Sequence, residues 1–364
     1  MIQPTTNYQE ILSRLERVDV SQYAATRNYL DGAVSNLSPF ISRGVLSLPQ
    51  LSDAVLEKFS FSHAYRFINQ LTWREYFQRV WWKYGNDIFT NLKGPFRYNA
   101  RQGMSTNIIE GKTGITVLDD QVKQLYTTGY LHNHVRMYLA SLACPMGQCD
   151  WRLPSQWMYY HLLDGDIASN TLSWQWVAGT FSNKEYVFNQ ENLNHYSSTT
   201  QRDTFIDVPY EKLSTVSVPE ELRELSTVNF TTLLPPTSPP SLDYSKPLLI
   251  YNSYNLDPLW QKDLDANRVL LLEPSHFKKF PVSEKVIKFI LNLASNINGI
   301  QIITGEIEDV PGIEKFSSVT SKDHPAFRHY PGYKTAAQWM FPKVELTPSF
   351  SSFWKKCERS IATK

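Results

Sequence analysis

Apolar residues recur at spacings of three and four from residue 1 to about residue 200, which predicts a series of amphipathic helices. The pattern is clearest over residues 46–59, 63–82 and 117–143. Helix-breaking residues lie around these stretches. Pro39 and Gly44 precede the first stretch, and Gly94 and the Gly-containing segment 110–114 separate the second stretch from the third. We therefore expect the first part of the chain to be helical.

The pattern changes near residue 247. Short runs rich in Ile, Leu and Val occupy residues 247–251, 268–273 and 300–304, and the last two flank a helical stretch over 283–297. Strand, helix and strand in that order predict a βαβ unit with a parallel sheet. The Pro-rich stretch before it predicts a semi-extended linker.

These patterns predict a mainly α protein followed by a smaller α/β segment. The expected boundaries are a helical domain over residues 1–213, a linker over 214–246 and an α/β domain over 247–364. No internal repeat and no Gly-rich phosphate loop of the GxGxxG or GxxxxGK type is found.

Composition narrows the classes of function. The net charge is +1, so a DNA-binding site would have to be a local basic patch. Three cysteines without CxxC spacing exclude a disulfide framework and the usual zinc or iron–sulfur patterns. We find no signal peptide and no membrane span, and we expect a cytoplasmic, monomeric protein without a metal. Aromatic residues reach 13%, and seven of the ten Trp fall between Trp73 and Trp176.

Four segments carry candidate chemistry. In residues 35–47, clustered hydroxyls before a helix suit a phosphate, or Ser38 is an ordinary N-cap. In residues 67–77, Gln70, Trp73 and Arg74 share one helix face, as in a site for a planar heterocycle or in an amphipathic core helix.

In residues 128–141, Asn133, Arg136 and Met137 share a face, whereas His132 and His134 diverge and make a poor metal pair. Core or surface roles for these histidines are the alternative. In residues 149–180, Asp164 and Asp166 precede a predicted helix, where carboxylates meet free N–H groups.

Segments 110–137 and 150–180 read EGKTGITVLDDQVKQLYTTGYLHNHVRM and DWRLPSQWMYYHLLDGDIASNTLSWQWVAGT. Together with SNLSPFISRGVLS and QLTWREYF, they resemble in order and spacing the FAD domain of DNA photolyases and cryptochromes. The resemblance covers roughly residues 20–200. It implies FAD as the cofactor and a light-driven electron transfer.

The resemblance also implies individual roles. The cofactor contacts would be Tyr23, Ser35, Leu37, Ser38, Phe67, Arg74, Asn133, Arg136, Asp164, Asp166 and Asn170. Val34 replaces the usual Thr of the first block. Arg136 and Asp164 match an ion pair beside the flavin ring, and Asn170 matches the residue that faces its N5 atom.

Trp174 and Trp151 match the first two members of the chain that photoreduces FAD, and Tyr98 stands where the third is usually Trp. The electron could therefore leave through Tyr98 or through another residue such as Trp157. The DNA contacts implied are Arg27, Gln70, Trp73, Asn133, His134 and Met137.

Two lesion-pocket positions depart from the family pattern. Gln70 replaces the Glu of cyclobutane-dimer photolyases, and His134 replaces an Arg. Where (6-4) photolyases need a pair of His residues, this chain has Asn133 and Met137, so it has no His for acid–base catalysis at that place. The resemblance therefore implies an enzyme that splits pyrimidine dimers in damaged DNA, with a cryptochrome-like photoreceptor as the alternative.

Ordinary members of the family begin with an α/β antenna domain, whereas this chain opens on the helical domain. The α/β segment after residue 245 is either a permuted counterpart or an unrelated appendage. Its polar and aromatic residues over 268–277 and 322–332 lie near predicted strand ends, where ligands often bind, or they simply form loops. We predict no antenna pigment.

Overall fold

The computed structural model describes residues 4–182, 184–213, 217–236 and 239–362. Their contacts form two compact units. The helical unit comprises residues 19–34 and 77–230, and the sheet unit comprises residues 4–18, 35–76 and 231–362.

The α-helices are α1 Tyr8–Glu16, α2 Val20–Thr26, α3 Ser38–Ser42, α4 Leu48–Leu56, α5 Phe61–Tyr84, α6 Thr106–Glu110, α7 Thr116–Thr128, α8 Asn133–Ser141, α9 Arg152–His161, α10 Ile167–Val177, α11 Gln190–Ser197, α12 Tyr210–Leu213, α13 Pro274–Lys279, α14 Glu284–Ala294 and α15 Phe350–Ala362. A π-helix, Leu142–Met146, continues α8. Short 3₁₀ helices are Gly85–Phe89, Glu220–Leu222, Ile307–Asp309, Ile313–Lys315 and Pro325–Phe327.

The strands are β1 Met104–Ser105, β2 Leu225–Ser226, β3 Leu248–Tyr251, β4 Asn267–Leu272, β5 Ile300–Thr304, β6 Val319–Lys322 and β7 Tyr333–Thr335. β1 and β2 form a short antiparallel pair in the helical unit. The other five form a parallel sheet in the order β5-β4-β3-β6-β7.

The segment 117–143, which reads as one helical pattern, folds as two helices. α7 ends because Gly129 takes a left-handed conformation with φ +71°, and its N–H bonds the carbonyl of Leu125. α8 then begins after His132, whose side chain accepts a hydrogen bond from the backbone N–H of His134. The apolar faces of both helices contribute Val122, Leu125, Val135 and Leu139 to the core of the helical unit.

The βαβ prediction is confirmed in the sheet unit. β4 and β5 pair in parallel on either side of α14, and β3 is buried along its length. The apolar stripe of α14 is buried, including Val286, Ile290 and Leu293. Burial of such a stripe against a sheet is the main source of stability for a βαβ unit.

The two compact units do not coincide with the predicted domains, whose boundaries lie at residues 213 and 246. Those boundaries remain a prediction. N-terminal segments belong to the sheet unit because specific contacts tie them to it. The Asn296 side chain accepts from Tyr8 N at 3.0 Å and donates to Thr6 O at 2.7 Å. The carboxylate of Glu75, fully buried, accepts from Met340 N at 2.6 Å.

Described parts of the expected linker make regular contacts as well. Ser226 lies in β2, paired with Met104. Pro235 O accepts a hydrogen bond from Thr304 Oγ1 at 2.7 Å. This stretch is therefore anchored by backbone contacts at several points, which its composition did not indicate.

Cys144, Cys149 and Cys357 are buried, and none of the three forms a disulfide bond. Among the described residues, no helix is both long and apolar enough to cross a bilayer.

Candidate functional site

A buried ion pair joins the start of α8 to the turn before α10. Arg136 Nη2 donates to Asp164 Oδ2 at 2.8 Å and to Oδ1 at 3.0 Å. The Asp164 side chain is only 3% exposed, whereas the Arg136 side chain is 23% exposed. The same guanidinium donates to Leu131 O at 2.9 Å, which fixes its orientation. The structure thus brings together the two residues that the resemblance predicts as an ion pair.

Gly129 positions the turn that carries Asp164. The N–H of Leu163 donates to Gly129 O at 2.9 Å. A Cβ at Gly129 would lie 2.7 Å from Leu163 Cγ, so a side chain there would push the two segments apart. Gly129 therefore serves two needs, the left-handed helix end and this close approach.

Tyr130 lies beside the ion pair and was not predicted as a site residue. The Arg136 guanidinium lies 5.9 Å from the centroid of its ring. Burial raises the pKa of Tyr130 to about 12; the Arg136 guanidinium opposes this shift and the Asp164 carboxylate adds to it. Tyr23 lies on α2 of the same unit. The available signal was its place in the segment 110–137 that carries the resemblance, two positions before His132.

Asp166 is the N-cap of α10. Its Oδ1 accepts from Ser169 N at 2.7 Å, and its Oδ2 accepts from Gln78 Nε2 at 2.5 Å. The expectation of a carboxylate at a helix start is confirmed. Gln78, which orients this carboxylate from α5, was missed because nothing in its local pattern distinguishes it from a surface residue.

Asn170 lies one turn into α10. Its Nδ2 donates to both Ser155 O and Ser155 Oγ at 2.9 Å. A backbone carbonyl can only accept, so this contact sets the orientation of the amide. The Oδ1 atom of Asn170 points away from that carbonyl as a hydrogen-bond acceptor.

The tryptophans predicted for electron transfer are buried in the helical unit. Trp174 and Trp151 are each 2% exposed. Trp151 Nε1 donates to Asn91 Oδ1 at 2.9 Å. Trp157 is 1% exposed and donates to Tyr126 OH at 3.0 Å, so it lacks the solvent contact that an exit residue needs.

Tyr98 is partly exposed, and its hydroxyl donates to Glu185 Oε2 at 3.0 Å. Arg97 lies 3.4 Å from the same oxygen. Burial raises the pKa of Tyr98 to about 12, and the negative charge of Glu185 adds to the shift. Glu185 was not predicted, since a carboxylate 87 positions away leaves no trace in a local motif.

The predicted DNA-facing residues of the helical unit lie on α2 and α8. Asn133 is exposed, and its Nδ2 lies 3.9 Å from Met137 Sδ one turn later. Arg27 is the C-cap of α2. His134 Nδ1 bonds Asn28 O at 2.8 Å, and burial lowers the pKa of His134. This histidine is therefore uncharged at neutral pH, unlike the Arg of the family pattern.

The other predicted residues lie in the sheet unit. Ser38 is the first residue of α3 and Leu37 is its N-cap, without a side-chain capping bond. The alternative in which Ser38 caps this helix is therefore wrong by one position. Ser35 Oγ accepts from Leu37 N at 3.4 Å.

The α5 residues of the sheet unit make polar contacts of their own. Arg74 Nη2 donates to Ser42 Oγ at 2.5 Å, close to the end of α3. Gln70 Nε2 donates to Asn69 Oδ1 at 3.3 Å. Phe67 is 3% exposed, which suits a core residue.

Trp73 stacks on a residue of the last helix. Its ring and that of Phe350 are 3.5 Å apart between centroids and 14° from parallel. One face of the indole is therefore covered. Trp73, which is predicted as a DNA contact, is therefore not a free surface on that side.

The donor set of the helical unit fits a flavin. A guanidinium paired with a carboxylate, an amide of fixed orientation and buried indoles supply the charge, hydrogen bonds and redox partners that such a ring uses. Among the described residues, no group of three or more His, Cys, Asp and Glu could hold a metal ion.

Known proteins share this region. Residues 67–208 match the sequence profile of the FAD binding domain of DNA photolyase. A cryptochrome DASH of Danio rerio is 32% identical over 169 residues, which cover 44% of this chain and 32% of that protein. A deoxyribodipyrimidine photo-lyase of Vibrio cholerae is 32% identical over 178 residues, 45% of this chain and 37% of that protein.

Among solved structures, a Synechocystis cryptochrome aligns with a TM-score of 0.47 and 26% identity over 52% of this chain and 43% of that chain. The chain matches about a third of the length of these two curated relatives. Residues 67–208 of this chain are therefore similar to the FAD-binding domain of DNA photolyases and cryptochromes, and this similarity supports FAD as the cofactor.

Proposed function

We propose that this protein uses FAD and light to split cyclobutane pyrimidine dimers in DNA, the reaction of a deoxyribodipyrimidine photo-lyase. The observation that carries the proposal is the Arg136–Asp164 pair with the oriented amide of Asn170. Curated relatives from Vibrio cholerae and Thermus thermophilus bear the name of that enzyme.

Each residue of the helical unit has a distinct task in this proposal. Arg136 and Asp164 orient the flavin ring. The pair keeps its geometry because separating two mostly buried charges would cost about 3–5 kcal/mol. Asn170 presents Oδ1 to the ring edge, and Ser155 holds that orientation. When bound, FAD supplies the light absorption and the electron.

The target bases must leave the DNA stack, because a dimer inside a duplex cannot approach a buried cofactor. Asn133 and Met137 are the proposed contacts of the damaged bases on the helical unit. They lie one turn apart on α8, where an exposed amide can donate or accept and a thioether adapts its shape.

The test is a repair assay with the FAD-loaded, chemically reduced protein and an oligonucleotide that carries a single dimer. We expect loss of the dimer under blue light and no loss in the dark. Asn133→Ala should reduce repair, whereas Asn292→Ala, an exposed amide on α14, should not. If the dimer persists under light with fully reduced, FAD-loaded protein, the proposed repair activity is ruled out.

A second candidate is a cryptochrome-like blue-light photoreceptor without repair. Two observations favour it: Phe350 covers Trp73, and the uncharged His134 lacks the phosphate-binding charge of an Arg. A photoreceptor predicts light-dependent hydrogen exchange in residues 340–362 without dimer loss. Dimer loss with unchanged exchange supports the enzyme instead.

A further inference from the structure

The parallel sheet has a topological switch point between β3 and β6. The chain passes from β3 to β4 and β5 on one side, then returns to β6 and β7 on the other. Ligands of open α/β sheets bind outside the carboxyl ends of the strands at such a point. Neither the flavin domain nor the proposed DNA contacts account for this place in the sheet unit.

The turn after β3 is polar and almost completely buried. Asn252, Ser253 and Asn255 are exposed by 0%, 3% and 2%. Asn252 Oδ1 accepts from Tyr254 N at 2.9 Å, which fixes its amide with Nδ2 pointing away. A buried polar turn at a strand end is unusual unless its side chains bind something.

Buried polar atoms without a partner gather here. Among the described residues, Asn252 Nδ2, Asn255 Nδ2, Asn255 Oδ1 and His276 Nε2 are inaccessible to solvent and make no hydrogen bond. Each such atom costs about 1–3 kcal/mol when left unsatisfied. Hydrogen bonds to a ligand would remove that cost for several atoms at once.

Tyr254 lies at the centre of the cluster. Its ring stacks on His324, with centroids 4.7 Å apart and planes at 12°, and it lies 6.1 Å from His276. The guanidinium of Arg43, a residue 1% exposed, is 5.6 Å from the same ring. His324 is half-buried, so the cluster reaches solvent on that side.

Arg43 is held in place by the turn itself. Its carbonyl accepts from Leu256 N at 2.9 Å. The next residue, Gly44, has φ +67°, and a Cβ there would lie 2.2 Å from Tyr254 O. Glycine is required for this approach, which places the positive charge of Arg43 against the turn.

The guanidinium of Arg43 brings a buried, permanent positive charge to the cluster. Burial lowers the pKa of His276 to about 3, and His324, Arg43, His329 and Lys279 lower it further. The carboxylate of Glu273 is engaged with His329 Nε2 at 2.9 Å. An anion would therefore be favoured here over a cation.

We propose that the carboxyl edge of β3 and β6 binds the oxyanion group, phosphate or carboxylate, of a small molecule. Asn252 Nδ2 and Asn255 Nδ2 donate to its oxygens, and Arg43 supplies the compensating charge. Asn255 Oδ1 accepts from a hydroxyl or N–H group of the same ligand.

The probes are inorganic phosphate and acetate, added to the FAD-loaded full chain at constant ionic strength. We expect at least one of them to raise the midpoint of thermal unfolding, and the preferred probe identifies the oxyanion. Asn255→Asp keeps the shape but places a negative charge at the site. It should weaken binding on the order of tenfold or more, which corresponds to about 1.4 kcal/mol.

Asn292→Asp is the matched control, because it makes the same change at an exposed position of α14 in the same unit. Its anion response should equal that of the wild type. Hydrogen exchange of the wild type gives a second test without a variant: residues 252–256 and 323–327 should gain protection when the anion is added. Equal responses in both variants, or no protection of these segments by either probe, would overturn the proposal. Flavin photochemistry enters none of these measurements.

Discussion

The hydroxyl of Tyr98 donates a 3.0 Å hydrogen bond to the carboxylate of Glu185. Burial and the charge of Glu185 raise the pKa of Tyr98 from 10 to about 12, so the unoxidised phenol holds its proton firmly. Oxidation of a tyrosine is favourable only when the phenol proton can leave. Glu185 is placed to accept that proton, which makes Tyr98 usable as the terminal electron donor in the proposed photoreduction.

We expect Glu185→Gln to slow photoreduction of the FAD-loaded protein, since the amide is a far weaker base. Glu191→Gln, an exposed change nearby in sequence, should leave the rate unchanged. Tyr98→Trp combined with Glu185→Gln should recover the rate, because an indole can be oxidised without immediate proton loss. Flavin absorbance under continuous illumination gives the rate. No slowing in the single variant, with Tyr98→Phe also silent, would remove Tyr98 from the path.

Trp174→Phe should slow photoreduction at least about tenfold, which corresponds to a barrier higher by roughly 1.4 kcal/mol. The expectation rests on its predicted place as the first donor. Trp157→Phe is the matched control, since Trp157 is equally buried and bonds Tyr126. Similar rates in the two variants would contradict the proposed path.

Local patterns predict several elements of the fold because their causes are local. The periodicity around Trp73 gives α5, and the two carboxylates before α10 give its N-cap, Asp166. The contacts of Glu185, Gln78 and Phe350 escape prediction because their partners lie far away in sequence. No periodicity encodes which distant segment packs against a given face.

Contacts between residues that are distant in sequence also explain why the chain divides into the helical unit and the sheet unit. Residues 4–18 and 35–76 read as part of one continuous helical region, yet their contacts place them with the sheet. Glu75 shows why: its buried carboxylate accepts from backbone N–H groups of Met340 and Phe341. A sequence pattern shows that Glu75 lies on a helix but not what covers it.

Breaking the Arg136–Asp164 pair should lower both the free energy of unfolding and the FAD content of the protein. Asp164→Asn leaves a partly buried guanidinium without its counter-charge, and we expect a loss of about 2–4 kcal/mol in the free energy of unfolding. Asp150→Asn removes a more exposed pair, with Arg152, and should cost less than about 1 kcal/mol. Urea unfolding and the FAD content after purification are the measurements. Full FAD content in Asp164→Asn would count against the predicted flavin contact.

Removing Phe350 should uncover one face of Trp73. Phe350→Ala should increase affinity for dimer-containing oligonucleotide, although the truncation costs about 1–3 kcal/mol of stability. Phe353→Ala is the control, because Phe353 is fully buried and contacts Tyr76. It should cost more stability without increasing affinity. Equal affinities of both variants and the wild type, measured by fluorescence anisotropy, would show that Phe350 does not limit binding.

His132 should make stability depend on pH. Burial lowers its folded pKa to about 4, below the ordinary value of 6.5, and His134 repels its charged form. Between these values the unfolded chain binds more protons, so stability is full above pH 6.5 and falls towards pH 4.

His132→Asn replaces the capping Nδ1 of His132 with an amide oxygen, so the N-cap of α8 keeps a hydrogen-bond acceptor while the titration is removed. Its unfolding free energy should fall less over that window, by on the order of 2–3 kcal/mol, than that of the wild type. His63→Asn, an exposed control, should follow the wild type. Parallel curves for all three proteins would mean that His132 does not titrate in this range.

The most direct test of the whole account is one spectroscopic experiment on the purified protein with dimer-containing DNA. The absorption spectrum is followed under blue light in the presence of an electron donor, and dimers are counted before and after. We predict flavin bands that bleach on illumination, followed by light-dependent loss of dimers. A protein that carries and photoreduces FAD but leaves every dimer intact would contradict the proposed repair activity.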